Sequence, residues 1–189
     1  MTGALLFVQG GGDEAHRYDK TIVDRLQQSL GAEMPVAFPF LGGLETLDWP
    51  AVAVELGDNL RALSPGAIVV AHSVGASAVL KLLSSGIDPK LAHLFLLAPP
   101  YNGADGEWGD DDFSFPADFA RSLPKDLPIT LWHSRDDDII PVALGQQLFA
   151  ALPEPKRWLA VPGAEHNDLL ARGEVWRAIA ELMQDVKAP

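Results

Sequence analysis

Short apolar runs of strand length recur along this chain, and they alternate with segments in which apolar residues have helical spacing. The runs cover residues 4–8, 36–40, 67–71, 94–98, 129–133 and 157–161, and the helical segments cover 21–30, 52–63, 76–83, 141–152 and 174–186. Runs that are apolar on both faces are typical of strands covered by helices on both sides of a parallel sheet. The alternation therefore predicts a doubly wound α/β fold, with a mostly parallel sheet of about six strands and helices on both faces.

The length of the chain fits one domain of this kind. Its 189 residues contain no internal repeat and no linker, so we expect residues 1–189 to form a single domain. The one long irregular stretch covers residues 101–128, with a single short helix predicted near residues 117–123. Loops of that length in compact domains are commonly functional, which makes this stretch a candidate wall of a binding site.

Charge and composition exclude several kinds of partner and chemistry. The net charge of −12 repels phosphate backbones and anionic lipids, so neither nucleic acid nor a membrane surface is expected as a partner. The absence of cysteine removes disulfides, thiolate nucleophiles and thiolate metal sites. The first residues carry no basic segment and only a short apolar run, which predicts a cytoplasmic protein.

A serine lies at one predicted strand-to-helix turn, in the stretch VVAHSVGAS at residues 69–77. In a parallel sheet, ligands bind beyond the carboxyl ends of the strands, where Ser73 would be. A sharp turn that exposes a nucleophilic serine needs tiny neighbours two positions away, and Ala71 and Gly75 occupy those positions. The N–H of Val74 would then face an oxyanion formed at Ser73. The alternative is that Ser73 only caps the following helix.

Two later turns offer the partners that a serine nucleophile requires. A histidine must take the serine proton, and a carboxylate must orient the histidine, in the chain order Ser, Asp, His. The fifth predicted strand is followed by three adjacent aspartates, Asp136, Asp137 and Asp138, and the sixth by His166. Neighbouring side chains point in different directions, so the residues alone leave the choice among the three aspartates open.

These loops resemble those of a known family. The D-x-x-I-P step from Asp137 to Pro141 and the P-G-A-x-H loop from Pro162 to His166 are similar to the acid and histidine loops of α/β-hydrolases, and the resemblance covers nearly the whole chain. The small size, the turn GGGD followed by His16, and the aspartate pair are similar to single-domain serine hydrolases of the retinoblastoma-binding protein nine type. The resemblance implies a minimal α/β-hydrolase fold without a large cap, and it favours Asp137 as the acid.

The chain departs from the common family pattern at three positions. Ala71 stands where glycine is commoner, and Gln9 stands where many members carry a histidine. Glu165 replaces a residue that is often glycine and precedes His166 directly. We expect its carboxylate to raise the pKa of His166 and so to reduce activity at low pH.

The glycine turn after the first strand is where this fold supplies its second oxyanion donor, and Gly11 is the predicted donor. A nucleotide-phosphate loop is disfavoured because the turn lacks both G-x-G-x-x-G and a Lys-Ser/Thr pair. A plain flexible turn is the remaining alternative.

Aromatic residues in the irregular stretch, Tyr101, Trp108 and Phe113, are predicted to form a wall of the substrate pocket. The alternative is that these rings pin the loop to the core. Among the other histidines, His72, His93 and His133 are predicted to be structural, while His16 is a candidate for lining the cleft.

Together these features predict a carboxylesterase-like serine hydrolase that cleaves small acyl esters through an acyl-enzyme. The predicted catalytic residues are Ser73, Asp137 and His166, with Gly11 and Val74 as the oxyanion donors. The expected partner is a small-molecule acyl substrate, with no cofactor and no metal, and the protein is expected to be a monomer or homodimer. The alternatives are an amide, thioester or carbon-carbon bond cleaved by the same residues, and a non-catalytic binding module on the same fold.

Overall fold

A computed structural model of the chain describes residues 5–32, 34–101, 111–168 and 172–185. Six strands form one fully parallel sheet in the order β2-β1-β3-β4-β5-β6. The strands are Leu5–Val8 (β1), Val36–Ala37 (β2), Ile68–His72 (β3), His93–Leu97 (β4), Ile129–Ser134 (β5) and Lys156–Val161 (β6). The predicted doubly wound α/β fold is confirmed. Residues 4 and 186, which the sequence assigned to a strand and a helix, lie outside the described residues.

Helices connect the strands as predicted. They are Ala15–Leu30 (α1), Gly42–Thr46 (α2), Trp49–Arg61 (α3), Ser73–Ser84 (α4), Phe119–Ser122 (α5), Val142–Ala151 (α6) and Gly173–Asp185 (α7), with a 3₁₀ turn at Asp111–Phe113. Helix α1 begins earlier than the periodicity predicts, and α2 was not predicted. Within the described ranges, no helix is both long and apolar enough to cross a membrane.

The alternating side chains of the strands build two separate cores, one on each face of the sheet. Helices α1 and α7 cover one face, where the buried residues include Phe7, Ile22, Val23, Leu26, Val70, Phe95, Val175, Trp176 and Ile179. Helices α3, α4 and α6 cover the other face, where the buried residues include Leu6, Leu56, Leu60, Val69, Val79, Leu80, Leu96 and Leu148. Burial on both faces explains why the central strands are continuously apolar.

Strand β2 is shorter than the run at residues 36–40 predicts. It lies at the edge of the sheet, and among the described residues it pairs with Leu5 and Leu6 of β1. Beyond that pairing, Phe38 packs edge-on against Phe7, with ring centroids 5.6 Å apart, and stacks on His16 at 4.2 Å. At the end of the predicted strand, aromatic contacts with α1 therefore replace the backbone hydrogen bonds between β2 and β1.

The fold brings the loops with functional candidates to one edge of the sheet. Because all six strands are parallel, the chain leaves β1, β3, β5 and β6 at the same side. Those four exits carry the glycine turn, Ser73, the three aspartates and His166 respectively. The topology thus explains why residues far apart in the chain meet.

Candidate active site

The serine turn has the strained geometry of a nucleophile elbow. Ser73 follows β3 directly and opens α4, with φ at 50°, in the left-handed region that non-glycine residues rarely adopt. A Cβ on Gly75 would overlap the carbonyl oxygen of Gln9, so only glycine fits at that position. The closeness of β1 and α4 at this point holds Ser73 in its strained conformation.

This close approach makes a direct prediction about stability. Gly75→Ala should lower the free energy of unfolding by about 3 kcal/mol, because the backbone of the β1 loop must move to admit the methyl group. Chemical denaturation measures the loss. Gly173→Ala is the matched control, since a Cβ there meets nothing within 4 Å. Equal stability of the two variants would contradict the packing argument.

Ser73, His166 and Asp137 form one continuous hydrogen-bonded chain. The Ser73 hydroxyl lies 3.0 Å from His166 Nε2 and can donate to it. On the other side of the ring, His166 Nδ1 donates to Asp137, with distances of 2.8 Å to Oδ2 and 3.1 Å to Oδ1. The arrangement allows the imidazole to accept the hydroxyl proton while the carboxylate fixes its tautomer.

Backbone and side-chain donors hold the Asp137 carboxylate in one orientation. Its Oδ1 accepts hydrogen bonds from the N–H groups of Ile139 (3.0 Å) and Ile140 (2.7 Å). Its Oδ2 faces His166, and His133 Nε2 lies 3.4 Å away. Burial alone would raise the pKa of Asp137, but the hydrogen bonds from His133, His166 and Ile140 outweigh it and hold the pKa below its usual range.

The neighbouring aspartates brace the histidine loop through its backbone. Asp136 Oδ2 accepts from the N–H of Gly163 at 2.6 Å, and Asp138 Oδ1 accepts from the N–H of His166 at 2.9 Å. Both side chains are otherwise exposed. Of the three aspartates left open by the sequence, the structure brings Asp137 to the imidazole and the other two to the adjoining main chain.

The expectation that Glu165 raises the pKa of His166 is wrong. Burial lowers the pKa of His166 below its ordinary value, and this outweighs the opposing effect of Asp137. The positive charges that His72 and His133 can carry lower it further. Glu165 is exposed to solvent, where its carboxylate is screened from the buried ring.

The two predicted oxyanion donors lie side by side. A Cβ on Gly11 would come within 2.9 Å of Val74 Cβ, so the glycine turn packs directly on the start of α4. The N–H of Gly10 donates to Asp19 and that of Gly12 to the carbonyl of Leu44. Between them, the N–H of Gly11 has no hydrogen-bond partner within the part of the chain that the structure describes.

An open cleft with a volume of about 160 Å³ leads to Ser73. It is lined by Gly10, Gly11, Asp13, Ala15, Tyr18, Asp19, His72, Ser73, Ile139, His166 and Asn167. Tyr18 and Ile139 are exposed apolar side chains at this cleft. The small volume and mixed lining of the cleft suit a small ligand with a short apolar part.

The predicted aromatic wall is not among the described residues that line this cleft. Phe113 is buried in the core and packs edge-on against Trp49, with ring centroids 5.4 Å apart. Tyr101 packs against Phe115 and Phe119. These rings pin the loop to the core, which is the alternative that the sequence left open, and Trp108 lies outside the described residues.

The sequence model of the alpha/beta hydrolase family matches residues 5–186 of the chain. The chain belongs to the alpha/beta hydrolase family. The match spans almost the entire length, which agrees with the resemblance read from the acid and histidine loops. The match establishes membership of the family as a whole. The assignment to the retinoblastoma-binding protein nine type remains a prediction.

Curated relatives of this alpha/beta hydrolase are matched over part of their length. The uncharacterised protein YfhR of Escherichia coli K12 is 25% identical over 143 residues, which cover 69% of this chain and 50% of YfhR. The uncharacterised protein Rv2307c of Mycobacterium tuberculosis is 46% identical over 41 residues, covering 22% of this chain and 15% of that protein. The chain thus spans half or less of these relatives.

Solved structures share the fold over nearly the whole chain. A monoacylglycerol lipase of Paleococcus ferrophilus superposes with a TM-score of 0.69 at 16% identity, covering 98% of this chain and 95% of the lipase. A pyrethroid hydrolase of Sphingobium faniae gives 0.67 at 15% identity, covering 97% and 98%. An esterase domain of Rhodothermus marinus gives 0.62 at 18% identity, covering 97% and 85%.

The remaining histidines of this alpha/beta hydrolase occupy mostly structural positions. His133 is buried and donates from Nε2 to the carbonyl of Ile140 at 2.9 Å. His93 is hydrogen-bonded to Thr130, and His16 stacks on Phe38 instead of lining the cleft. Among the described residues, no group of three or more His, Asp or Glu side chains is placed to hold a metal ion.

One buried pair beside Ser73 was not predicted from the sequence. His72 Nδ1 donates to Asp19, with distances of 3.0 Å to Oδ1 and 3.2 Å to Oδ2. The sequence did indicate that Asp19 is buried, because its spacing places it on one face of α1 with Ile22, Val23 and Leu26. A carboxylate on the buried face of a helix needs a partner.

Proposed function

We propose that this alpha/beta hydrolase is a serine hydrolase that cleaves small carboxylic esters through an acyl-enzyme. The observation that carries the proposal is the unbroken chain from the strained Ser73 through His166 to Asp137, with contacts of 3.0 and 2.8 Å. Its nucleophile end lies in the wall of an open cleft. Nucleophile, base and orienting acid thus have the mutual geometry that acyl transfer requires.

In the first half-reaction, Ser73 Oγ attacks the ester carbonyl carbon while His166 Nε2 takes its proton. The carbonyl oxygen becomes an oxyanion, which the N–H groups of Val74 and Gly11 stabilise. The resulting imidazolium is stabilised by Asp137, and it protonates the departing alkoxide as the carbon–oxygen bond breaks. The products are the free alcohol and an ester of Ser73.

In the second half-reaction, His166 takes a proton from water, and the hydroxide attacks the acyl carbon of the Ser73 ester. The tetrahedral intermediate again places its negative oxygen at the same two donors. His166 returns the proton to Ser73 Oγ, and the carboxylic acid leaves. The N–H of Gly11 supports this assignment, because it donates to no other group among the described residues and is available for the oxyanion.

Covalent labelling tests the function directly. A fluorophosphonate probe should label the folded protein at Ser73, identified by mass spectrometry of the labelled peptide, and Ser73→Ala should remain unlabelled. Ser84→Ala, in the same helix but away from the cleft, is the matched control and should label normally. No labelling of folded wild-type protein would refute the proposal and favour a binding module.

The pH dependence follows from the burial of His166. Only the neutral imidazole acts as base, so kcat/KM falls as pH decreases through its pKa. Because burial lowers that pKa, the half-maximal point should lie below pH 6.5, the ordinary value for histidine. A pH profile with nitrophenyl acetate measures it. Glu165→Gln should leave the midpoint of the pH profile unchanged. If the wild-type midpoint lay above pH 6.5 and Glu165→Gln lowered it, the Glu165 carboxylate would raise the pKa of His166 after all.

The open cleft predicts a preference for short acyl chains. Each methylene that the cleft buries contributes roughly 0.8 kcal/mol and raises kcat/KM about fourfold. Beyond the cleft, further methylenes remain in water and add nothing. Nitrophenyl esters should therefore improve from acetate to about butyrate or hexanoate and then level or fall. A kcat/KM that still rises at dodecanoate would contradict an open, shallow cleft.

A further inference from the structure

A second buried histidine–aspartate pair lies directly behind the nucleophile. Asp19 is 2% exposed and His72 is 3% exposed, and they belong to α1 and to the last position of β3. Their hydrogen bond of 3.0 Å joins residues 53 positions apart. The proton path from Ser73 through His166 to Asp137 does not use either of them. A buried carboxylate is costly unless its partners repay the desolvation, so this pair requires an explanation.

The same carboxylate also holds the glycine turn. Asp19 Oδ2 accepts a hydrogen bond of 2.7 Å from the N–H of Gly10, the residue before the proposed oxyanion donor Gly11. Gly10 lies tightly against the elbow, since a Cβ there would come within 3.2 Å of His72 Nδ1 and 3.4 Å of Ser73 Cβ. Asp19 therefore connects the glycine turn, helix α1 and the serine turn at one point.

Three consecutive glycines cannot hold an N–H in place unaided. Glycine has the widest backbone freedom, so Gly10, Gly11 and Gly12 need external anchors to present one donor in a fixed direction. Gly12 is anchored on the carbonyl of Leu44 at 3.0 Å. Asp19 anchors Gly10 with a charge-assisted hydrogen bond, which is stronger than a bond between neutral groups.

The position of His72 indicates how the pair acts. His72 lines part of the cleft, but its Nε2 is shielded from solvent and has no hydrogen-bond partner among the described residues. Its Nδ1–H points at Asp19 and restricts the carboxylate to the orientation that accepts from Gly10. The ring centroid lies 4.9 Å from that of His166, so the pair packs against the base, and among the described residues it makes no hydrogen bond to it.

We propose that Asp19, oriented by His72, is a positioning residue that fixes the backbone of Gly10 so that the Gly11 N–H points at the oxyanion. This proposal rests on the serine hydrolase function proposed above. Loss of this positioning should affect kcat more than KM, because an oxyanion donor stabilises the tetrahedral state far more than the bound ester. Loss of Asp19 should thus reduce kcat without a matching change in KM.

The test compares Asp19→Ala, Asp19→Asn and a matched control, Asp24→Ala, which removes an exposed carboxylate of α1 that is paired with Lys20. For nitrophenyl acetate, Asp19→Ala should lower kcat about 10²-fold and change KM less than about threefold. Asp19→Asn keeps an acceptor for the Gly10 N–H and should recover kcat to within about tenfold of wild type. Asp24→Ala should match wild type.

A trifluoromethyl ketone supplies a readout that a purely structural role would not move. It adds reversibly to the serine hydroxyl and forms a tetrahedral oxyanion, so its inhibition constant should rise by about the same factor as kcat falls. The proposal is overturned if Asp19→Ala keeps wild-type kcat, if its inhibitor affinity is unchanged, or if Asp19→Asn is no better than Asp19→Ala.

Thermal unfolding of each variant is measured first. Should Asp19→Ala not fold, Asp19→Leu takes its place, because it fills the space without an acceptor. Failure of both to fold would assign Asp19 to the fold alone and overturn the proposal. Failure of the hydrolase function itself is separate, since it would appear as a wild-type protein that neither labels at Ser73 nor turns over esters.

Discussion

Ser73→Ala and His166→Ala should each lower kcat for ester hydrolysis by about 10⁴- to 10⁶-fold while the protein remains folded. Ser73 Oγ has His166 as its partner at 3.0 Å, so either substitution breaks the same step of the reaction. Both side chains lie at the carboxyl edge of the sheet, in turns and not in either of the two apolar cores. Turnover of nitrophenyl butyrate, with protein folding checked by circular dichroism, measures the effect.

The double variant separates a cooperating pair from two independent residues. Because serine cannot be activated without the base, and the base has no role without the serine, Ser73→Ala combined with His166→Ala should lose little more than either alone. Ser84→Ala and His93→Gln, which alter a serine and a histidine away from the cleft, are the matched controls. A double variant with the product of the two single losses would refute the shared step.

The second large effect is expected at the acid. Asp137→Asn should lower kcat by about 10⁴-fold, because the amide must orient its oxygen toward the N–H groups of Ile139 and Ile140. Its NH₂ then faces His166 Nδ1, which can only accept. The imidazole proton moves to Nε2, where it points at Ser73 and prevents the ring from acting as base.

The neighbouring aspartates provide controls of the same chemistry. Asp136→Asn and Asp138→Asn retain an oxygen for the N–H groups of Gly163 and His166, so each should reduce kcat less than about tenfold. Steady-state kinetics on the three variants decides the assignment. A loss of about 10⁴-fold at Asp136 or Asp138, with Asp137→Asn near wild type, would reject Asp137 as the acid.

Much of the fold was predictable because the dominant signals are local. Six apolar runs and five helical segments follow from periodicity within windows of ten or so residues. The placement of Ser73 at a turn also follows locally, from tiny residues on both sides and from a strand before it. Parallel topology then predicts that residues after β3, β5 and β6 meet at one edge.

The sequence could not predict features that depend on the direction of a side chain or on contacts between residues far apart in the chain. Choosing Asp137 over its neighbours from the residues alone requires knowing which carboxylate points at the imidazole. The partnership of Asp19 with His72 joins two elements with no pattern in common, so only the folded arrangement reveals it. Phe113 was expected at the pocket because it lies in a long loop. Its ring is instead buried in the apolar core on the face of the sheet that α4 covers.

Strand β4 lies between β3 and β5, so the chain that leaves it after Leu97 emerges between the elbow and the acid loop. The start of that connection is fastened to α4, where Ser77 Oγ donates to the carbonyl of Pro100 at 2.7 Å. Its end returns to the sheet at Ile129. Phe113, Phe115 and Phe119 of this connection belong to the apolar core on the face of the sheet that α4 covers. A deletion that removed these rings would therefore weaken the packing of that face, while Ser73, Asp137 and His166 would stay at the ends of their own strands.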